Sequence, residues 1–188
     1  MTSSVGCRVN SGVGPMSADA GVLFAEHQDA VFRYLCRTVG QAEAARDLTQ
    51  EVFLRVARAR VPDAGPSSVR AWIFTIARNL ALNHRRDGRL RVAAPLTRSP
   101  VEPAVQELAV AIQQALDTLQ DLDRDVFLLR ELGGLSYDEI AASCGLTSEA
   151  VRGRLKRARQ DLRGALDGAV RVHRLRPMRL SGDRSGDS

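Results

Sequence analysis

The stretch Leu135-Ser136-Tyr137-Asp138-Glu139-Ile140-Ala141-Ala142-Ser143-Cys144-Gly145-Leu146-Thr147-Ser148-Glu149-Ala150-Val151-Arg152-Gly153-Arg154-Leu155-Lys156-Arg157-Ala158 decides how this chain is read. Ser136 to Glu139 has the form of a capping box, in which the Ser hydroxyl accepts from the third amide and Glu139 reaches back to the cap. A short helix follows to Cys144, and Gly145 supplies the tight turn that ends it. Thr147 can cap a second helix, with Leu146 stapled onto Val151. At about 100° per residue, Val151, Leu155, Ala158 and Leu162 share the packed side of that helix. The opposite side carries Glu149, Arg152, Gly153, Lys156, Arg157 and Gln160. Ser136 to Leu166 therefore predicts two helices around a tight turn, the second with a mainly cationic outer face. Such a helix fits the major groove of B-DNA, where Arg and Lys reach guanine edges or phosphates. A merely solvated charged face is the alternative, and the capped helix and glycine turn ahead of it favour duplex DNA. Arg154, Arg159 and Arg163 lie on the flanks and read as backbone or structural contacts.

Charge is placed unevenly around this unit. Residues 107 to 132 carry Arg124 and Arg130 against Glu107, Asp117, Asp121, Asp123, Asp125 and Glu131, so this block is expected to sit away from DNA. Leu108, Ile112, Ala115, Leu116 and Leu119 recur at helical spacing, as do Leu122, Val126, Leu129 and Leu132 before Gly133-Gly134. The whole chain of 188 residues has a formal net charge of +5, which suits a polyanionic partner without identifying one. Of 27 basic residues only Lys156 is lysine, so placement rather than total carries the meaning. With 44% apolar but only 4% aromatic residues, and Ala, Leu and Arg dominant, the composition favours an all-α protein.

The N-terminal half is also helical in pattern. Leu23 to Val39 reads as an amphipathic helix ending at Gly40, and Gln41 to Arg60 as a second with Ala45, Leu48, Val52 and Val56 inward. Its far side gathers Asp47, Gln50, Glu51 and Leu54 into one ridge. On geometry alone this ridge is a solvated face; it could also dock a protein, with Leu54 as the apolar centre. Ser67 or Ser68 is expected to cap a third helix through Arg86, with Val69, Ile73, Ile76 and Leu80 inward. Trp72, Asn79, Asn83 and Arg86 stand on one neighbouring stripe. An indole can stack on an unpaired base, Asn can read base edges and Arg can hold a phosphate; a lone Trp more commonly fills a core margin. The loop Val61 to Ser68, with Pro62, Gly65 and Pro66, lies ahead of this helix.

Asp47-Leu48-Thr49-Gln50-Glu51-Val52-Phe53, then Arg70-Ala71-Trp72-Ile73-Phe74-Thr75-Ile76-Ala77-Arg78-Asn79, then Leu135 to Ala141 and Arg154 to Arg159, resemble in order the extracytoplasmic-function (ECF) sigma factors of the sigma-70 family. The resemblance spans about Leu23 to Leu166. It implies that the ridge of Asp47, Gln50, Glu51 and Leu54 docks on the clamp helices of the RNA polymerase β′ subunit. It implies that Trp72, Asn79, Asn83 and Arg86 engage minus-10 DNA as an opened single strand. The C-terminal block is then the part that reads the minus-35 duplex, through Glu149, Arg152, Gly153, Lys156 and Arg157, and rests on the β-flap. Proteins of this kind are commonly held by an anti-sigma factor. Glu149-Ala150 stands where many members have a Gly-Thr step, and Asn83 where many carry Asp.

The expected architecture is two small helical domains joined by a flexible linker. Residues 1–20 read as a disordered extension, with Met16 an alternative start to Met1; 22–90 as the sigma-2-like domain; 91–106, with three prolines, as the linker. Residues 107–166 read as the sigma-4-like domain and 167–188 as a disordered basic tail. The implied function is an alternative sigma factor, against a helix-turn-helix regulator acting outside the polymerase. Ser, His and carboxylates form no catalytic constellation, so the chain reads as non-enzymatic and free of cofactors. Cys7, Cys36 and Cys144 lack metal-type spacing. Neither a membrane span nor a signal peptide is legible, which places the protein in the cytoplasm.

Overall fold

The computed structural model describes residues 18–59, 61–62, 65–88 and 103–175. Those residues form seven helices: α1 (Ala18–Val39), α2 (Ala42–Arg58), α3 (Pro66–Gly88), α4 (Pro103–Asp117), α5 (Asp121–Glu131), α6 (Tyr137–Cys144) and α7 (Ser148–Leu175). Helices α1 to α3 pack pairwise into one bundle, while α4, α5 and α6 each pack on α7 in the second.

Several boundaries differ from the sequence expectation. Helix α1 begins at Ala18, inside the stretch read as disordered, and α4 begins at Pro103, inside the stretch read as linker. Proline is well placed in a first helical turn, because its missing amide would have no intrahelical partner there. The same holds for Pro66, so α3 starts before Ser67 and Ser68 rather than being capped by either, and the Val69 amide bonds the Gly65 carbonyl at 3.3 Å. Helix α7 runs on to Leu175, past the expected end at Leu166, since no Pro interrupts it. The remainder of the N-terminal extension, the linker over 91–102 and the tail from 176 lie outside the described residues.

The apolar positions behave largely as their periodicity requires. Val31, Tyr34, Leu35, Ala45, Val52, Val56, Ile73 and Phe74 are buried in the first bundle, and Val126, Leu129, Ile140, Val151, Leu155, Ala158 and Leu162 in the second. Leu108 is an exception at 58% exposed, as is Gln113, which is buried. Gln113 turns inward because α4 faces the first bundle there, where Gln113 Nε2 donates to the Arg37 carbonyl at 3.4 Å and Arg37 Nη1 to the Ala109 carbonyl at 3.2 Å.

The two bundles share one apolar cluster, made where α1 meets α5 and α3 meets α6. Tyr34 and Phe74 stack edge to face at 5.6 Å, and a Cβ added to Gly133 would stand 3.2 Å from the Phe74 ring and 2.6 Å from the Leu129 carbonyl. Only glycine lets the chain pass this close. Beside it, Arg78 Nε stands 3.3 Å from the Asp125 carboxylate, and Arg78 Nη1 donates to the Ser143 carbonyl at 3.1 Å. Arg85 contacts both Asp121 and Asp125. Burial pushes the Asp125 carboxyl up, against the pull of Arg78, Arg85 and Arg124.

A carboxylate this deep depends on its partners. Arg78→Ala is expected to cost about 3 kcal/mol in urea denaturation, whereas Arg55→Ala, which breaks the exposed pair with Glu51, should cost no more than about 0.5 kcal/mol.

Candidate nucleic-acid and protein interfaces

The turn between α6 and α7 is built from local chemistry. Ser136 Oγ accepts from the Glu139 amide at 3.3 Å while Glu139 Oε2 accepts from the Ser136 amide at 2.7 Å, completing the capping box. Gly145 adopts φ +67°, and the Leu146 amide closes back on the Ala141 carbonyl at 2.9 Å. This left-handed step is nearly free for glycine and costly for residues with a Cβ. Thr147 Oγ1 accepts from the Ala150 amide at 3.2 Å, starting α7. Ser148 also bonds Asp138, tying the first turns of the two helices together.

Glu149, Arg152, Gly153, Lys156, Arg157 and Gln160 are all exposed on α7, as the sequence predicts. They do not form one uniform face. Arg152 and Lys156 join Arg159, Gln160, Arg163 and Tyr137 around a shallow cleft of about 270 Å³ between α6 and α7. Tyr137 lies under both Arg130 and Arg152, at 5.4 and 5.9 Å from ring centre to guanidinium, which orients Arg152 by cation–π attraction. Arg159 bonds Glu131 at 2.8 Å, and that bond raises its already high pKa. Arg157 lies on the opposite flank. Its Nε donates to Asp123 Oδ2 at 2.9 Å, and Arg154 Nη1 donates to Asp123 Oδ1 at 2.6 Å. The acidic block expected to sit away from DNA thus pairs, through Asp123, with two arginines of α7.

In the first bundle, Asp47, Gln50 and Leu54 of the α2 ridge are exposed, with Leu54 at 48%. Glu51 is half-buried and bonds Arg55 Nε at 2.7 Å. Phe24, missed by sequence reasoning, is 41% exposed and packs edge to face on Phe53 of α2 at 4.9 Å, leaving an aromatic of α1 partly open to solvent. Its position one residue from Leu23 in an amphipathic helix gave no signal. On α3, Asn79, Asn83 and Arg86 are exposed, whereas Trp72 is half-buried against the core. Arg78 and Arg85, beside this stripe, are committed to Asp125 and Asp121. Among the described residues no group of three or more His, Cys, Asp or Glu could hold a metal ion, and no helix is long and apolar enough to cross a membrane.

A helix-turn-helix with a basic outer helix, joined to a second helical bundle bearing a polar ridge and an Asn-rich stripe, defines a DNA-binding protein of two modules. Residues 23–91 match the family model for Sigma-70 region 2, and residues 109–162 that for Sigma-70, region 4. The chain is 38% identical over 155 residues to the ECF RNA polymerase sigma factor SigE of Mycolicibacterium smegmatis, covering 77% of this chain and 60% of SigE. It is 31% identical over 152 residues to the RNA polymerase sigma factor YlaC of Bacillus subtilis, covering 75% of this chain and 88% of YlaC. The solved structure of CnrH in complex with the cytosolic domain of CnrY superposes with a TM-score of 0.62 at 29% identity, over 79% of this chain and 88% of CnrH. The chain belongs to the ECF sigma factors of the sigma-70 family. The separate match of residues 23–91 leaves a free-standing helix-turn-helix regulator without support.

Ser136→Ala removes a hydroxyl that accepts a helix amide and is expected to cost about 1 kcal/mol, measured as a lowered denaturation midpoint. The helical circular dichroism of the folded state should be unchanged.

Proposed function

We propose that this protein is a dissociable specificity subunit of RNA polymerase, which binds the core enzyme and directs it to a class of promoters. The observation that carries this reading is the presence in one chain of both modules, the polar ridge and Asn stripe within 23–91 and the outer residues Glu149 to Gln160 of α7 within 109–162. Residues 22–90 act as the docking and minus-10 domain. Asp47, Gln50, Glu51 and Leu54 meet the β′ clamp helices, supported by the exposure of Leu54 among hydrogen-bonding side chains.

Trp72, Asn79, Asn83 and Arg86 hold opened minus-10 DNA. The half-buried Trp72 offers a stacking edge while keeping its anchor in the core, and the exposed amides can read base edges. Residues 107–166 act on the minus-35 duplex through Glu149, Arg152, Gly153, Lys156 and Arg157, and rest on the β-flap. Arg152 and Lys156 make no ion pair among the described residues, which leaves both charges for phosphates. The protein performs no catalytic step itself; it stabilises strand separation by binding exposed bases. It works in the cytoplasm with the polymerase. CnrH was solved with the cytosolic domain of another protein, and an anti-sigma factor is proposed as a partner here too.

Reconstitution with core polymerase and a promoter panel tests the whole reading: promoter-specific transcripts are expected, and failure to bind core at low salt would sink it. Gln50→Ala with Glu51→Ala should weaken core binding about tenfold, as expected for two contacts in a small interface, with the denaturation midpoint little changed. Trp72→Ala should slow promoter opening, followed by permanganate reactivity of unpaired thymines, more than it lowers closed-complex formation. The reverse order would remove the stacking role.

A further inference from the structure

Asp123 sits in the first turn of α5, where the helix dipole favours a negative charge, and its side chain is 2% exposed. A carboxylate at that depth is stable only with partners, and it has two, both from α7. One oxygen takes Arg154, whose side chain is 26% exposed; the other takes Arg157, whose side chain is 57% exposed. Arg154 is therefore spent on the scaffold. Arg157 is not: its Nε is bonded to Asp123, yet its side chain remains 57% exposed on the outer side of α7.

This arrangement changes what Arg157 can do. A free surface arginine samples many rotamers and behaves as a mobile charge, suited to any phosphate. An arginine held through Nε samples fewer orientations, and its two terminal nitrogens stay available together. That is the geometry needed for the paired acceptors O6 and N7 of guanine. The ordering cost is met in the free protein rather than at the groove. Lys156, with no such anchor and three rotatable donors, suits phosphate instead.

We infer that Asp123 is a positioning residue that aims Arg157 at a guanine edge in the upstream promoter duplex, making this pair the main source of base discrimination by α7. The inference rests on the reading of α7 as the duplex-contacting helix.

The test uses the full chain with core polymerase on a panel carrying every single-base change in the upstream element. Arg157→Ala should lose about tenfold in discrimination at one base pair, the usual effect of losing a bidentate contact. Asp123→Ala should lose a similar factor at the same base pair, and the double variant should be no worse than Arg157→Ala alone. Asp123→Asn, which keeps the shape but not the charge, should lose discrimination there too and covers the case in which Asp123→Ala fails to fold. Lys156→Ala should instead weaken every promoter evenly and lower the salt slope by about 1.

Uniform weakening by both Asp123 variants, or unchanged discrimination in the folded ones, would overturn the inference. So would an Arg154→Ala variant that shares the affected base with Asp123 while Arg157→Ala does not. If the wild-type chain forms no promoter-specific complex, it is the sigma reading that fails; if it does and the Asp123 variants match it, only this inference fails.

Discussion

Two buried carboxylates on one short helix hold the arginines around them in place. Asp123 and Asp125 are two residues apart on α5, about 200° of helical rotation, so they point to opposite sides. Asp123 faces α7 and takes Arg154 and Arg157; Asp125 faces α3 and takes Arg78 and Arg85. The first contact fixes one flank of the basic helix, and the second joins the bundles. Both side chains are only 2% exposed, and each faces two guanidinium groups from another helix, the partners a carboxylate at that depth requires.

The joint between bundles is polar as well as apolar, and it is incompletely satisfied. Tyr34 Oη, Arg78 Nε, Arg85 Nη1 and Asp125 Oδ1 are buried without a hydrogen-bond partner among the described residues. Burial pushes the Tyr34 hydroxyl well above its ordinary pKa, so it stays a neutral phenol beside Phe74. Charge pairs of this kind add less stability than the same area of close-packed hydrocarbon, because both partners give up their hydration. The shared apolar cluster that includes Tyr34, Phe74 and Leu129 supplies most of the attraction between the bundles.

The basic helix is divided by the same logic. Arg152 and Lys156 line the cleft by Tyr137 with charges unpaired among the described residues; Arg159 is paired with Glu131; Arg154 and Arg157 are paired with Asp123. A net charge of +5 therefore says little about the surface that meets a polyanion. What matters is which cations have intramolecular carboxylates, because those lose part of their long-range pull and gain a fixed direction.

The sequence by itself determined the helices, their inward faces and the α6–α7 turn, because those follow from periodicity, a capping box and one left-handed glycine, all local in the chain. It also determined which side of α7 and of α2 meets solvent, through the 3.6-residue repeat. Only the tertiary structure decided that Asp123, separated by 31 residues from Arg154, lies against it, and that Gly133 is pressed against Phe74. No local pattern encodes those pairings, since a helix periodicity says which way a side chain points but not what stands opposite. For the same reason the charge pattern of α5 marked it only as a block away from DNA, and packing alone showed that its Asp123 supports the basic helix.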